Sequence, residues 1–351
     1  RAQAAGGLTA SWMLHGRPGV GKTQVVAELA RRIGAELFDL RLTTIEPQDL
    51  RGLPYYDHET RRTLWYRPED LPDAPGRPAV LFLDELTAAS PQIQPAVYGL
   101  LQERRVGRHV LPDSVFVVAA GNMVEDGAVA YEMGTALSDR LVHVHIEADA
   151  ADWLDNYAAP RGLHPAVVAF IRTRPDLLET TARALDRGET IAATPRSWER
   201  VSRILEAVPD RRLRDVMVAG TVGEAIAAEF AVVADDVAAT VQVGEMLAAD
   251  RASRARLYPA SLHGLNALVH GLVGALSDET AEAAIETLAD IRTLPERRGE
   301  PAFRAMPLAE LTTHGFEMLI RRGLELGLGE RFLASPAYRA YAAERRAAGL
   351  E

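Results

Sequence analysis

Residues 16 to 23 read GRPGVGKT, a glycine, four residues, then Gly-Lys-Thr, which is the spacing of a phosphate-binding loop. Gly16, Gly19 and Gly21 allow the backbone to turn its amide hydrogens toward an anion, with Arg17, Pro18 and Val20 between them. Gln24 follows inside the helix whose positive end faces the same anion. Lys22 is placed to neutralise β and γ phosphates, and the Thr23 hydroxyl to ligate Mg2+. Further on, VLFLDEL carries Asp84 and Glu85 at the end of an apolar run. An aspartate there suits magnesium through a bound water, and the glutamate beside it suits activation of an attacking water. VFVVAAGN then delivers Asn122, which can hold a water with donor and acceptor together while carrying no charge that opposes a γ phosphate. The chemistry these residues imply is magnesium-assisted hydrolysis of a nucleoside triphosphate. No motif reports on the base, so the residues alone leave ATP and GTP both open.

Such residues need elements that bring them to one place. Short apolar runs at Trp12 to Leu14, Leu37 to Leu42, Val80 to Leu83, Val115 to Ala120 and Leu141 to Ile146 alternate with longer amphipathic stretches. The last three runs are nearly continuous in aliphatic residues, as expected of strands covered on both faces, so the fold class is α/β with a five-stranded parallel sheet. In KTQVVAELARRIG, Val25, Val26, Leu29 and Ile33 share a helical face and Gly34 supplies the stop. A second helix is expected with Ser90 as N-cap and Pro91 at its first position, running to about Arg104. Residues 53–68, LPYYDHETRRTLWYRP, read as an inserted hairpin. After residue 150 helical periods dominate, giving an α/β domain at 1–150, an all-helical module at 151–234 and a helical carboxyl-terminal segment at 235–351.

The order GRPGVGKT, LFLDEL, AAGN, ALSDR at 136–140 and TPRSWERVSRIL at 194–205 resembles the AAA+ ATPases, and more narrowly the MoxR-like branch with a hairpin inserted in the second helix. The resemblance covers about residues 8–233, where VAGTVGEAIAAEF at 218–230 looks like the end of that family's helical lid. It implies ATP as the nucleotide and a homo-oligomeric ring, usually hexameric, with ATP bound between neighbouring subunits. It also implies that Asn122 is a first sensor, Arg140 the finger offered to the neighbour's ATP and Arg196 a second sensor on the lid. MoxR-like proteins are typically paired with proteins bearing a von Willebrand factor A domain, so a partner of that kind is implied by resemblance, and remodelling or maturation of a client protein with it.

Physical reading of the two arginines agrees with those roles. Arg140 follows a short helical turn and precedes a strand, near a sheet edge from which a rigid guanidinium reaches an adjacent subunit's γ phosphate, with a surface ion pair as the plain alternative. Arg196 follows Pro195 at a helix start, where the helix dipole disfavours a cation unless an anion lies nearby. Arg104 and Arg105 could also face the neighbouring site, but they are better read as a solvated helix end. His143 and His145 alternate on the fifth strand, but no carboxylate at zinc spacing accompanies them, so they read as strand histidines rather than a metal pair. Tyr55, Tyr56, Trp65 and Tyr66 suggest base stacking, yet Asp57, Glu59, Glu69 and Asp70 beside them favour a protein-contact or pore-facing hairpin.

Composition narrows the function classes. The 351 residues carry 49 acidic and 39 basic side chains for a formal charge of −10, which argues against a general nucleic-acid binder and against the motor of a nucleic-acid-processing complex. A scaffold that binds ATP without turnover is a third reading; its signature is loss of Glu85, Asn122 or Arg140, and all three are present. Zero cysteines exclude disulfides, thiolate metal sites and cysteine nucleophiles. Residues 1–16 lack the basic and long apolar segments of a secretion signal, and a chain beginning at Arg1 is open to having been trimmed. The uncharged stretch Leu257 to Ser277 has its apolar residues at helical spacing and reads as a core helix, not a membrane span. The expected location is the cytoplasm.

Overall fold

The computed structural model describes residues 10–123, 135–240 and 242–347. The amino-terminal stretch read for a secretion signal therefore lies, through residue 9, outside the described residues. The chain forms two compact units, Arg1–Ala148 with Thr181–Gly188, and Asp149–Thr180 with Glu189–Glu351.

In the first unit the elements run β1 (Ser11–His15), α1 (Lys22–Ile33), β2 (Glu36–Arg41), α2 (Pro47–Arg51), β3 (Pro54–Asp57), β4 (Arg62–Trp65), β5 (Ala79–Asp84), α3 (Gln94–Tyr98), β6 (Arg105–Val106), β7 (His109–Val110), β8 (Val115–Gly121), α4 (Thr135–Ser138) and β9 (Leu141–His145). Five of the strands make one parallel sheet in the order β2-β5-β8-β1-β9. The aliphatic runs explain it, because successive side chains of a central strand go to opposite faces and both must be covered. Val80 and Phe82 join Leu14, Val118 and Ala120 against Val26 and Ala30 of α1. Leu81 and Leu83 join Met13, Val117 and Ala119 against Val97 and Leu100 on the other face.

Several local expectations are corrected. The sheet-facing stripe of α1 is Val26, Ala30 and, half-buried, Ile33, while Val25 and Leu29 are 47% and 37% exposed. Thr23 lies on the same stripe, three residues before Val26, and its hydroxyl donates to Asp84 Oδ2 at 3.2 Å, so the loop sets the rotation of the helix. The helix expected from Pro91 begins at Gln94, after a turn in which the Ile93 amide donates to the Ser90 carbonyl at 3.1 Å. Pro95 has no N–H to give the Pro91 carbonyl, so the α ladder cannot start earlier. β9 is not a covered strand but an edge strand, with Val142, His143 and His145 exposed. Arg104 is not a solvated helix end: half-buried and left-handed at φ 54°, it donates to the carbonyls of Pro112 and Val115 at 2.8 and 2.7 Å. Its neighbour Arg105 opens the β6–β7 hairpin, whose two-residue strands are too short to leave a period in the sequence.

The hairpin expected at 53–68 is β3 paired antiparallel with β4. Tyr55 stacks on Tyr66 with centroids 5.0 Å apart, and Tyr56 is 70% exposed.

The second unit is helical. Phe170, Trp198 and Phe230 form an aromatic cluster with centroids 5.3 to 5.5 Å apart. The helix Glu224–Thr240 runs through residue 234, and the helices on either side of it belong to this one unit. Leu262–Gly274 is the helix within the uncharged stretch, burying Leu265, Leu268, Val269, Leu272 and Val273 in a core shared with Ala281–Asp290 and Leu308–Glu325. Among the described residues no helix is long and apolar enough to cross a membrane.

His270, in Leu262–Gly274, is buried, and among the described residues neither of its ring nitrogens has a hydrogen-bond partner. Burial, then the charges of Arg172 and His314, push it well below the usual imidazole range, and the Asp155 charge offsets them in part. His164 is pushed down to about 4 by burial and by Arg214. Both take up protons in the unfolded chain before the folded one, so their effect is absent above pH about 6.5 and costs stability as pH falls from there toward 4. We expect His270→Leu to stabilise the unit by about 1–3 kcal/mol at pH 7.5, since two orphaned polar atoms disappear in an apolar site of similar volume. The gain should be larger at pH 5. Thermal unfolding of wild type and variant at the two pH values checks this, and an equal loss of stability at both would show that His270 is packed as an asset.

Candidate functional site

The carboxyl ends of β1, β5 and β8 lie side by side, and the loops leaving them carry most of the candidate residues. Gly21 takes the left-handed conformation at φ 106° as the residue before α1, which a side chain would strain. A Cβ on Gly16 would sit 2.6 Å from the Ile146 carbonyl oxygen, so the loop closes against the chain after β9 only as glycine. Pro18 is exposed at the tip, and Arg17 turns the chain so that the Val20 amide meets its carbonyl at 3.5 Å. Among the described residues no side chain caps α1, whose first-turn amides, those of Lys22, Thr23 and Gln24 included, are the groups a helix start offers to an anion.

Lys22 Nζ donates to the carbonyls of Gly16 at 2.5 Å and Arg17 at 3.1 Å, and to Asn122 Oδ1 at 2.8 Å. The ammonium is thus held at the centre of its own loop and tied to the end of β8. Asn122 is fixed through its backbone as well, because the Thr87 hydroxyl donates to its carbonyl at 2.9 Å and stands 3.1 Å from its amide nitrogen. Asp84 is buried at the end of β5 and accepts from Thr23 at 3.2 Å. A hydroxyl and a carboxylate paired at the start of a phosphate loop are hard oxygen donors, and they fit a magnesium ion.

Glu85 has φ 60°, a left-handed conformation that a non-glycine residue adopts at a cost of roughly 1–3 kcal/mol. The Thr43 hydroxyl donates to its Oε2, and Arg41 Nε stands 3.8 Å from its Oε1. Neither Thr43 nor Arg41 was singled out from sequence, because their meeting with Glu85 depends on the β2–β5 register that pairs Arg41 with Asp84. Asp39, on the same strand, is pushed above the usual carboxylate range by burial and by the Asp84 charge. A hydroxyl that donates to a carboxylate occupies one of the lone pairs that would otherwise accept a water's proton. We therefore expect Thr43→Val to raise turnover about 2- to 10-fold, the equivalent of up to one 1.4 kcal/mol step, with nucleotide affinity unchanged. Steady-state hydrolysis beside equilibrium binding reads this, and a fall in turnover would mean that Thr43 aims the carboxylate rather than restrains it.

A histidine group flanks the loop. His15, the last residue of β1, lies with its ring centroid 5.0 Å from His143 and 5.1 Å from His145. His143 Nε2 is 2.9 Å from the Ser138 carbonyl, which can only accept, so this nitrogen carries the proton. Its Nδ1 then accepts from His15 Nε2 at 2.7 Å. Burial pushes His15 down to about 4, helped by His143, His145 and Lys22, so it is neutral at neutral pH and adds no charge beside Lys22. Among the described residues no three such side chains are grouped to hold a metal ion. Sequence reading named His143 and His145 and missed His15, whose link to them is the β1–β9 pairing.

Two further predicted residues lie on other elements. Arg140 is exposed and precedes β9, where Leu141 pairs with Ser11 at the start of β1. It therefore sits at the amino edge of the sheet, opposite the edge that carries Lys22 and Asp84. Its Nη1 donates to Gln102 Oε1 at 2.6 Å. Arg196 is exposed in the first turn of the helix Pro195–Ala207, in the second unit, where Thr194 and Ser197 form a capping box.

Residues 11–141 match the family described as the AAA domain, dynein-related subfamily. The uncharacterized protein YeaC of Bacillus subtilis (strain 168) is 34% identical over 118 residues, 32% of this chain and 35% of that protein. ATPase family gene 2 protein homolog B of Bos taurus is 38% identical over 102 residues, 29% of this chain and 11% of that protein. The chain thus spans about a third of the first relative's length and about a tenth of the second's. Among solved structures, a RuvB variant from Thermotoga maritima is similar at 15% identity and a TM-score of 0.34, covering 86% of this chain and 78% of that one.

Proposed function

We propose, from the match of residues 11–141 to the AAA domain family, that the chain hydrolyses ATP with magnesium and works as a ring-forming, MoxR-like ATPase. The observation that carries this is the convergence of Lys22, Thr23, Asp84 and Asn122 on one edge of the sheet, joined by hydrogen bonds of 2.8 to 3.2 Å, with Glu85 next in sequence. In this reading the loop amides and Lys22 hold the β and γ phosphates of ATP, and Thr23 and Asp84 hold magnesium. The ion supplies charge neutralisation and orientation of the phosphate oxygens when bound. Glu85 takes the proton of the attacking water, and Asn122, its amide oriented by Lys22, holds that water in place. Arg196 keeps the second-sensor role that the resemblance implies.

The position of Arg140 supports assembly. A guanidinium at the opposite sheet edge from its own loop is badly placed for its own nucleotide and well placed for that of a second copy. Rings with heterologous contacts give every site such a neighbour. A hexameric ring, a client protein to be remodelled or matured and a von Willebrand factor A partner follow from the resemblance to MoxR-like proteins, and a cytoplasmic location goes with them.

The test is phosphate release by the purified chain with ATP or GTP, with and without magnesium, beside its mass by light scattering with and without nucleotide. ATP hydrolysis that requires magnesium and rises with an oligomer of about six chains is the expected result. Hydrolysis at full rate by a monomer would remove the ring from this reading, and no hydrolysis with tight ATP binding would leave the scaffold.

A further inference from the structure

The stretch between Glu85 and the β6–β7 hairpin contains a turn that takes no part in the phosphate-loop site. Residues Gly99–Glu103 form a single π-helical turn directly after α3. Such turns are rare, make poorer hydrogen bonds than an α-helix and concentrate at functional positions. By admitting one extra residue, the turn rotates the next residues by roughly 100° relative to a continued α-helix.

The turn is fixed from several directions. Leu100 and Leu101 are both buried, and the Ser11 hydroxyl donates to the Leu101 carbonyl at 2.8 Å. A Cβ on Gly99 would lie 2.7 Å from the Arg105 carbonyl oxygen, so the hairpin return packs directly on the turn. Arg104 closes it in a left-handed conformation, its guanidinium on the carbonyls of Pro112 and Val115. The side chain these constraints aim is Gln102, half-buried, whose Oε1 accepts from Arg140 Nη1 at 2.6 Å.

We propose that Gln102 is the positioning residue for Arg140, a neutral holder that points the guanidinium outward from the chain without neutralising it. The proposal rests on the reading of Arg140 as a group acting on a second copy's nucleotide. The choice of an amide is the chemical core of it. A free arginine side chain samples many rotamers, and one hydrogen bond to a rigid acceptor removes most of that freedom in advance. A carboxylate at the same place would hold the arginine more tightly, but as an ion pair that competes with a phosphate for the same five donors. The carboxylate that does stand next door, Glu103, is turned to Arg105 at 4.0 Å.

The experiment measures steady-state ATP hydrolysis of the full chain, assembled, for Gln102→Ala, Gln102→Glu, Arg140→Ala and the two double variants, with affinity for a fluorescent ATP analogue as the check that each folds. Gln102→Ala should lower kcat about 3- to 10-fold at unchanged KM, because a group that acts only in the transition state has lost its aim. Gln102→Glu should lower it further. In the Arg140→Ala background neither change should alter kcat by more than about 2-fold, since the residue through which Gln102 acts is gone. Gln102→Glu chains mixed with Glu85→Gln chains should regain activity, and mixed with Arg140→Ala chains should not. If Arg140→Ala keeps wild-type turnover, the reading of Arg140 itself fails and Gln102 has nothing to position. If Arg140→Ala is inactive while both Gln102 variants keep wild-type kcat, or if they lower kcat equally in the Arg140→Ala background, the positioning role alone is overturned.

Discussion

Lys22→Ala should reduce affinity for ATP between about 30-fold and several thousandfold. In the folded chain the ammonium sits between two loop carbonyls and the Asn122 side chain, at 2.5, 3.1 and 2.8 Å, so its position is prepared before any ligand arrives. His15 beside it is held neutral, and Arg17, the other basic residue of the loop, has its carbonyl rather than its side chain turned to the ammonium, so Lys22 is the cation fixed at the loop's centre. Removing one partner of a desolvated charge pair costs about 2–5 kcal/mol, and each 1.4 kcal/mol is a tenfold change in affinity. Removing it also leaves the Gly16 and Arg17 carbonyls and Asn122 Oδ1 without their donor, so the loop loses order as well as charge. Lys22→Arg should not restore binding, because a planar guanidinium cannot serve three acceptors grouped around a compact ammonium. Titration of a fluorescent ATP analogue or calorimetry decides it, and wild-type affinity in Lys22→Ala would remove the phosphate loop from the account.

Legibility in the sequence depends on whether the information is local. The phosphate loop is local: GRPGVGKT states its own turn, anion-binding amides and cation within eight consecutive residues, and the continuous aliphatic runs state a parallel sheet covered on both faces. Asp84 and Asn122 are readable because each ends such a run, and in a parallel sheet all runs end at one edge. The unreadable contacts depend on registers. Arg41 and Thr43 reach Glu85 only because β2 pairs with β5, and His15 reaches His143 only because β1 pairs with β9. The rotation of α1 is ambiguous in sequence because Val25 and Leu29 are as apolar as Val26, and it takes the tie between Thr23 and Asp84 to choose among the stripes. Gln102 gives no signal at all, since its position comes from a π turn that no hydrophobic period announces.

Glu85→Gln and Arg140→Ala should each bind ATP and fail to hydrolyse it, and the two together should recover part of the lost activity. Glu85→Gln keeps the shape of the side chain and its hydrogen bond with Thr43 but cannot accept the proton of an attacking water, a loss of about 10²- to 10⁴-fold. Arg140→Ala removes a cation of the kind worth about 10³–10⁵ in rate where it meets a γ phosphate. The geometry separates the two groups within one chain: Glu85 follows the carboxyl end of β5, and Arg140 precedes the amino end of β9, whose four steps alone span roughly 13 Å. A complete site then requires Glu85 from one chain and Arg140 from the next. In a ring assembled from equal amounts of the two variants, half the sites have an intact Glu85 and half of those face an intact Arg140, so about one quarter of sites are complete. The mixture should therefore reach about a quarter of wild-type turnover, and the yield should follow the product of the two fractions as their ratio is varied. If Arg140 served its own chain's nucleotide, no arrangement would join both intact groups and the mixture would stay as inactive as its parts. Hydrolysis rates across a series of mixing ratios, with exchange of subunits verified by labelled chains, distinguish a curve that peaks at equal amounts from a flat line.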